Sequence, residues 1–171
     1  MTSDQIGINP VSGRRETENE RLDRNLNELL QELRVAQTGV QILFAFLLTA
    51  AFTPLMQDAD PFTRQVLVAT IVCAALATAL LIAPVALHRT VFRRGLKEEL
   101  VRISSRLAAG GLVLLGLTML GGCLLAVDAL VDRPVAFVLT AGVGVWFLVF
   151  WAVLPVTVRV RGRGAGSVPP E

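Results

Sequence analysis

Few residues of this chain are of types that do chemistry, and those few sit at the edges of apolar runs. The one histidine, His88, follows Gln65–Leu87, a run without charge. An imidazole titrates near neutral pH, so a histidine there can relay a proton or gate a passage. Arg34, Gln37 and Gln41, with Thr38 between them, form a polar strip at helical spacing where another such run begins. With the two runs laid antiparallel, this strip and His88 reach the same depth and make a candidate polar vestibule, head-group site or proton relay. The plainer reading is that these amides and the imidazole satisfy nearby backbone or water. Asp128 closes a third run, four residues before Asp132. Facing inward it would take a cation or a proton; facing outward it would be hydrated.

Other chemistries find no residues to carry them. One histidine with two cysteines, Cys73 and Cys123, both inside apolar runs, makes no zinc set. The thiols are expected as small packing residues. There is no G-x-x-x-x-G-K-[ST] loop and no G-x-S-x-G elbow. The centres of the runs hold no carboxylate, lysine or arginine, which argues against a carboxylate-based ion-coupled transporter. The expectation is therefore a protein that is not an enzyme, with no catalytic residue, no metal and no cofactor.

The elements that position these residues follow from composition. Of 171 residues 53% are hydrophobic and only 18% charged, against about 45–50% and 25% in soluble domains. The excess lies in four uncharged runs: Val35–Gln57, Gln65–Leu87, Leu107–Val127 and Pro134–Val158. A helix needs about 20 apolar residues to cross a bilayer core. Barrel strands would be half as long and would alternate polar with apolar residues, which these runs do not. With lipid offering no partners to backbone groups, helices are the consistent conformation. The outer links, Asp58–Arg64 and Asp128–Arg133, are short and demand antiparallel neighbours. The predicted fold is all-α, an integral membrane four-helix bundle of two hairpins. Since the first 34 residues are polar, the first run is expected to serve as its own insertion signal.

Charge sets the expected orientation. Arg14, Arg15, Arg21, Arg24 and Arg34 precede the first run. Arg89, Arg93, Arg94, Lys97, Arg102 and Arg106 separate the second from the third, and Arg159, Arg161 and Arg163 follow the fourth. Only Arg64 and Arg133 fall on the other side. The positive-inside rule then puts both termini and the middle loop in the cytoplasm of a cell whose inner membrane holds the bundle. Basic residues beside an anionic inner leaflet attract its lipids at about 1 kcal/mol each. Arg89, Arg93, Arg94, Lys97 and Arg102 are thus candidate head-group contacts, although topology determination alone accounts for the same charges. The loop lacks the aromatic interleaving of nucleic-acid binders, so no nucleic-acid partner is expected.

Along the chain, residues 1–15 mix Gly, Pro, Ser and charge and are expected to be an unstructured tail. Residues 16–34 are expected as a cytoplasmic amphipathic helix. Thr17 and Glu20 have capping-box spacing, and Leu22, Leu26, Leu29, Leu30 and Leu33 share one face. That helix lies on the leaflet, offers a seam to a partner, or simply extends the first span. Residues 88–106 resemble a second interfacial segment, with Phe92, Leu96, Leu100, Ile103 and Leu107 on one face and Gly95 near its start. The transmembrane domain covers 35–158, and 159–171 form a Gly- and Pro-rich tail. Small residues recur at Ala69, Cys73 and Ala77, at Thr118, Gly122 and Ala126, and at Ala136, Thr140 and Gly144. Such faces are helix contacts, within one bundle, between copies or with another membrane protein. Pro84 and Pro155 each stand about one turn from the inner end of a run.

Two segments carry a family resemblance: Arg34-Val35-Ala36-Gln37-Thr38-Gly39-Val40-Gln41-Ile42-Leu43-Phe44-Ala45-Phe46-Leu47-Leu48, and Thr78-Ala79-Leu80-Leu81-Ile82-Ala83-Pro84-Val85-Ala86-Leu87-His88-Arg89 continuing to Phe92-Arg93-Arg94-Gly95. They resemble a family of small uncharacterised membrane proteins, mostly actinobacterial, classed as a domain of unknown function. The resemblance covers roughly Leu29 to Val158. It implies a bacterial inner membrane, supplies no established activity and carries over no catalytic residue. The leading expectation is a non-enzymatic accessory or scaffold bundle; the alternative is a small proton- or cation-coupled transporter or channel acting as an oligomer.

Overall fold

The computed structural model describes residues 6–8, 15–91, 97–153 and 157. Two three-residue strands, β1 (Ile6–Ile8) and β2 (Arg15–Thr17), pair antiparallel, with Gly7 opposite Glu16. The described elements after them are helices: α1 (Glu18–Ala51), the single turn α2 (Pro54–Gln57), α3 (Pro61–Val91), α4 (Lys97–Asp128) and α5 (Arg133–Leu148). A π-helical turn, Val149–Val153, follows α5. Four of these helices are long and apolar enough to cross a membrane, over Asp23–Ala51, Pro61–Leu87, Glu99–Asp128 and Arg133–Val153.

The helix boundaries bear on three expectations. The first apolar run is not one helix to Gln57. Thr53 takes extended angles (φ −76°, ψ 149°) ahead of Pro54, whose ring disfavours a helical predecessor. The helix therefore stops at Ala51, and the Thr53 hydroxyl donates to the Ala50 carbonyl at 2.7 Å. Nor does residue 34 divide a separate amphipathic helix from a span. α1 runs unbroken for 34 residues, about 51 Å at 1.5 Å per residue, so its polar first half continues along the axis of its apolar second half. The middle loop is likewise mostly helix, since α3 continues to Val91 and α4 begins at Lys97. Gly95 and Pro155 lie outside the described residues, as do most of the two expected tails.

The link into α3 is built by its sequence. One carboxylate oxygen of Asp60 accepts from the backbone N–H of Phe62 (2.9 Å) and of Thr63 (3.4 Å). The other accepts from the Thr63 hydroxyl (2.8 Å). Pro61 opens the helix, where no N–H is needed. The donors at the start of α3 are thereby partly satisfied.

The chain divides into two compact units, before and after the Thr118–Met119 bond. In the first, α1, α3 and the inner part of α4 share a core. Its buried residues recur at alternating steps of three and four on α3 (Thr63, Leu67, Thr70, Ala74, Ala77, Leu81, Pro84). On α1 they fall seven apart, at Leu33, Val40 and Leu47, and on α4 at Leu100, Ser104, Ala108, Gly111, Leu115 and Thr118. These are seam spacings, the kind that let side chains of one helix fill holes of the next. Leu33, Val40, Ala77, Leu81, Ala108 and Leu115 form one continuous cluster. The threonines of the seams cost little. Thr70 donates to the Val66 carbonyl at 2.7 Å and Thr118 to that of Leu114 at 2.8 Å.

In the second unit, the end of α4 turns through Ala129–Asp132 into α5. Buried Ala136 lets α5 approach, and a Cβ on Gly144 would touch the δ-carbons of Leu120 at 3.6 and 3.7 Å. Trp146 stacks on Phe150 (4.8 Å, tilted), and Phe147 meets Trp151 edge-on (5.1 Å).

Candidate functional site

Polar side chains and close helix approach coincide at one place in the first unit, around Leu81. The half-buried Gln37 side chain of α1 donates from Nε2 to the Leu81 carbonyl at 2.7 Å. Pro84 stands inside α3 three residues further on and is wholly buried. Lacking an N–H, it leaves the Leu80 carbonyl without its usual helical donor. Gln37 thus brings an external donor to the stretch of helix where the internal ladder is interrupted, one carbonyl along. From the other side, Gly111 carries the α4 backbone against the same residue. A Cβ there would lie 2.8 Å from both Cγ and Cδ2 of Leu81 and 3.3 Å from its backbone nitrogen. Gly110 stands beside Leu80 in the same way, at 3.3 Å from Cδ1. Three helices meet on two residues of α3.

The chemistry of this node is adhesive. Gln37 uses a donor on a backbone carbonyl, and what surrounds Leu81 is apolar or glycine. Replacing Gln37 by leucine is expected to lower stability by about 1–2 kcal/mol, the scale of an interhelical hydrogen bond in lipid. A lower melting temperature of detergent-solubilised protein, with helix content unchanged, is the readout.

Two of the other expected vestibule residues, Arg34 and Gln41, are not gathered there. Arg34 and Gln41 are exposed on α1, while Gln37 alone turns inward. The three positions share a strip, but the seam boundary runs along it and divides them. His88 belongs to α3 one turn past Pro84, and its side chain lies outside the described residues, as do those of Arg89, Arg93, Arg94 and Lys97. Arg102 is exposed and ion-paired with Glu99 one turn earlier on α4.

Asp128, the expected ion or proton site, belongs to the second unit. Its side chain keeps 10% of its surface and faces Arg133: Nε to Oδ1 and Nη2 to Oδ2 are both 3.2 Å. A carboxylate at the end of α4 and a guanidinium at the start of α5 each oppose their own helix dipole. Paired across the turn, each offsets the other. Cys73 and Cys123 are half-buried free thiols.

Sequence reasoning missed Ser104. It is wholly buried on the α4 seam, and its hydroxyl has no hydrogen-bond partner among the described residues. A serine in a small-residue face reads as packing, so only burial reveals the orphan. An unmade hydrogen bond costs about 1–3 kcal/mol on burial. Ser104→Ala is accordingly expected to be neutral or to stabilise by up to about 1 kcal/mol, a rise in melting temperature being the check.

A family model described as a family of unknown function (DUF6328) matches residues 15–155. No curated protein and no solved structure matches the chain.

Proposed function

The chain belongs to the DUF6328 family of unknown function, and from that premise we propose that it is a multi-pass protein of a bacterial inner membrane, without catalysis of its own, acting as an accessory or scaffold bundle. Both termini are cytoplasmic in this reading, supported by the fourteen basic residues that flank the runs on one side. Arg34 midway along α1 and Arg102 and Arg106 early in α4 are exposed, and in this reading stand where anionic head groups would meet them.

The observation that carries the accessory role is the use made of polar groups within the apolar helices. Gln37 is committed to the Leu81 carbonyl, and Thr70, Thr78 and Thr118 are committed to carbonyls of their own helices. Polar side chains spent on helix backbone, Gln37 on that of a neighbouring helix, support a part whose work is to hold and be held. Gentle detergent extraction of the native protein tests this. Recovery of a stoichiometric complex is the expected result, and a monodisperse monomer without any partner would count against it.

The rival reading, a proton- or cation-coupled transporter, draws its support from Asp128, a largely covered carboxylate beside an apolar helix end. Its partner Arg133 already supplies the positive charge that a cation would bring. Ion flux in proteoliposomes, lost in Asp128→Asn, would favour transport over the accessory role.

A further inference from the structure

We infer that α1 is a self-association face, on which two copies of this chain meet along Thr38, Gln41 and Ala45 and exchange hydrogen bonds between their Gln41 amides. The inference rests on the membrane reading above and names one partner for the scaffold.

Gln41 lies seven residues past Arg34 and ten before the end of α1, so it sits about 10 Å from the one and 15 Å from the other. That depth is inside the hydrocarbon, farther from the interface than the side chain reaches. Its side chain is exposed and meets no hydrogen-bond partner among the described residues. An amide left unpaired in lipid costs several kcal/mol. The hydroxyls nearby do not share the problem. Thr38 donates to the Arg34 carbonyl and Thr49 to the Ala45 carbonyl, both at 3.0 Å. Gln37 has the Leu81 carbonyl, so Gln41 is the amide on this strip that no described residue satisfies.

The exposed surface of α1 has two parts. At 100° per residue, Gln41, Ala45 and Thr38 fall within an arc of about 60° and are small or polar. The adjoining arc carries Val35, Ile42 and Phe46, exposed at 77%, 69% and 69%, which suit lipid tails. Small neighbours let a second helix come close to the Gln41 backbone. The occupant follows from the amide itself, which holds both donors and an acceptor. Two copies about a two-fold axis can therefore each donate Nε2–H to the other's Oε1, and no different partner chemistry is required. Arg34 ends the strip at the water boundary, where its long side chain can turn outward.

The test uses the full chain in its native membrane, with Cys73→Ala and Cys123→Ala and single cysteines along α1, under mild oxidation. Disulfide-linked dimer is expected at least about fivefold more from Thr38→Cys and Ala45→Cys than from Val35→Cys and Phe46→Cys. Adding Gln41→Leu to Ala45→Cys should cut the yield roughly fivefold to thirtyfold, while Gln41→Asn should retain most of it. Equal yields around the helix, no dimer at any position, or indifference to Gln41→Leu would each overturn the inference. Complex recovery from detergent decides the accessory role separately, so the two can fail independently.

Discussion

Ala77→Arg is expected to prevent the protein from reaching a folded state at all. Ala77 has no exposed surface, and it belongs to one core cluster with Leu81 on its own helix, Val40 on α1 and Leu115 on α4. A guanidinium introduced midway along a membrane helix costs about 2.5–3.5 kcal/mol on insertion scales. Overpacking adds about 1–3 kcal/mol, because a seam spaced for alanine has no volume for an arginine. The described core around this position is aliphatic and offers the charge no partner. Loss of the monodisperse species after extraction is the expected readout. The matched control is Ala79→Leu, two residues away and exposed on the same helix, expected to change stability by less than about 0.5 kcal/mol. Equal tolerance at both positions would mean that α3 does not present Ala77 to a core.

The second large effect is at Gly111. A single methyl there meets Leu81 at 2.8 Å, at Cγ as well as Cδ2, with the Leu81 backbone nitrogen close behind. Turning χ2 moves Cδ2 but not Cγ, and no rotamer moves the backbone nitrogen at 3.3 Å. Leu81 must therefore change χ1 within its packed seam, or α3 and α4 must give way. Gly111→Ala is expected to destabilise by about 1–3 kcal/mol, although alanine is the better helix former by roughly 1 kcal/mol. The two contributions oppose each other, and the contact decides the sign. Gly116, with nothing within 4 Å of its missing Cβ, is the internal comparison, and Gly116→Ala should stabilise. Pairing Gly111→Ala with Leu81→Ala should recover part of the loss, a non-additivity that identifies the contact. Thermal melting of five proteins in one detergent (wild type, the three single variants including Leu81→Ala, and the double) measures all of these.

Much of the helical content was legible in the residues. Uncharged runs beyond 20 residues announce helices of spanning length, and Asp60-Pro61 and Asp132-Arg133-Pro134 mark where two of them start. The stop at Ala51 was legible too, in Thr53-Pro54, but run length masked it because apolar residues continue past the break. Dividing α1 at Arg34 followed the chemistry of solvent, whereas the helix follows its hydrogen-bond ladder, which no charge interrupts. The leucine face ending at Leu33 in fact continues in step as Val40 and Leu47. On α3 the small-residue face picked out Ala77 but not the rest of the seam, and Ala69 on that same face is exposed. With apolar residues on every side, periodicity carries no signal for the remaining seam positions, which only packing distinguishes from their exposed neighbours. Gln37 was picked out by its amide, but its use depends on Pro84 and Gly111, some fifty and seventy residues away. That kind of coincidence exists only after the helices have met.

Everything about lipid in this account depends on how often the chain crosses the bilayer and which side its ends occupy. Single cysteines at Ala59, Ala129 and Ala165, in a background without Cys73 and Cys123, can be probed in intact cells with a maleimide that does not cross membranes. Labelling at residues 59 and 129 from outside, and at residue 165 only after permeabilisation, is the predicted pattern. Labelling of residue 165 in intact cells would contradict it.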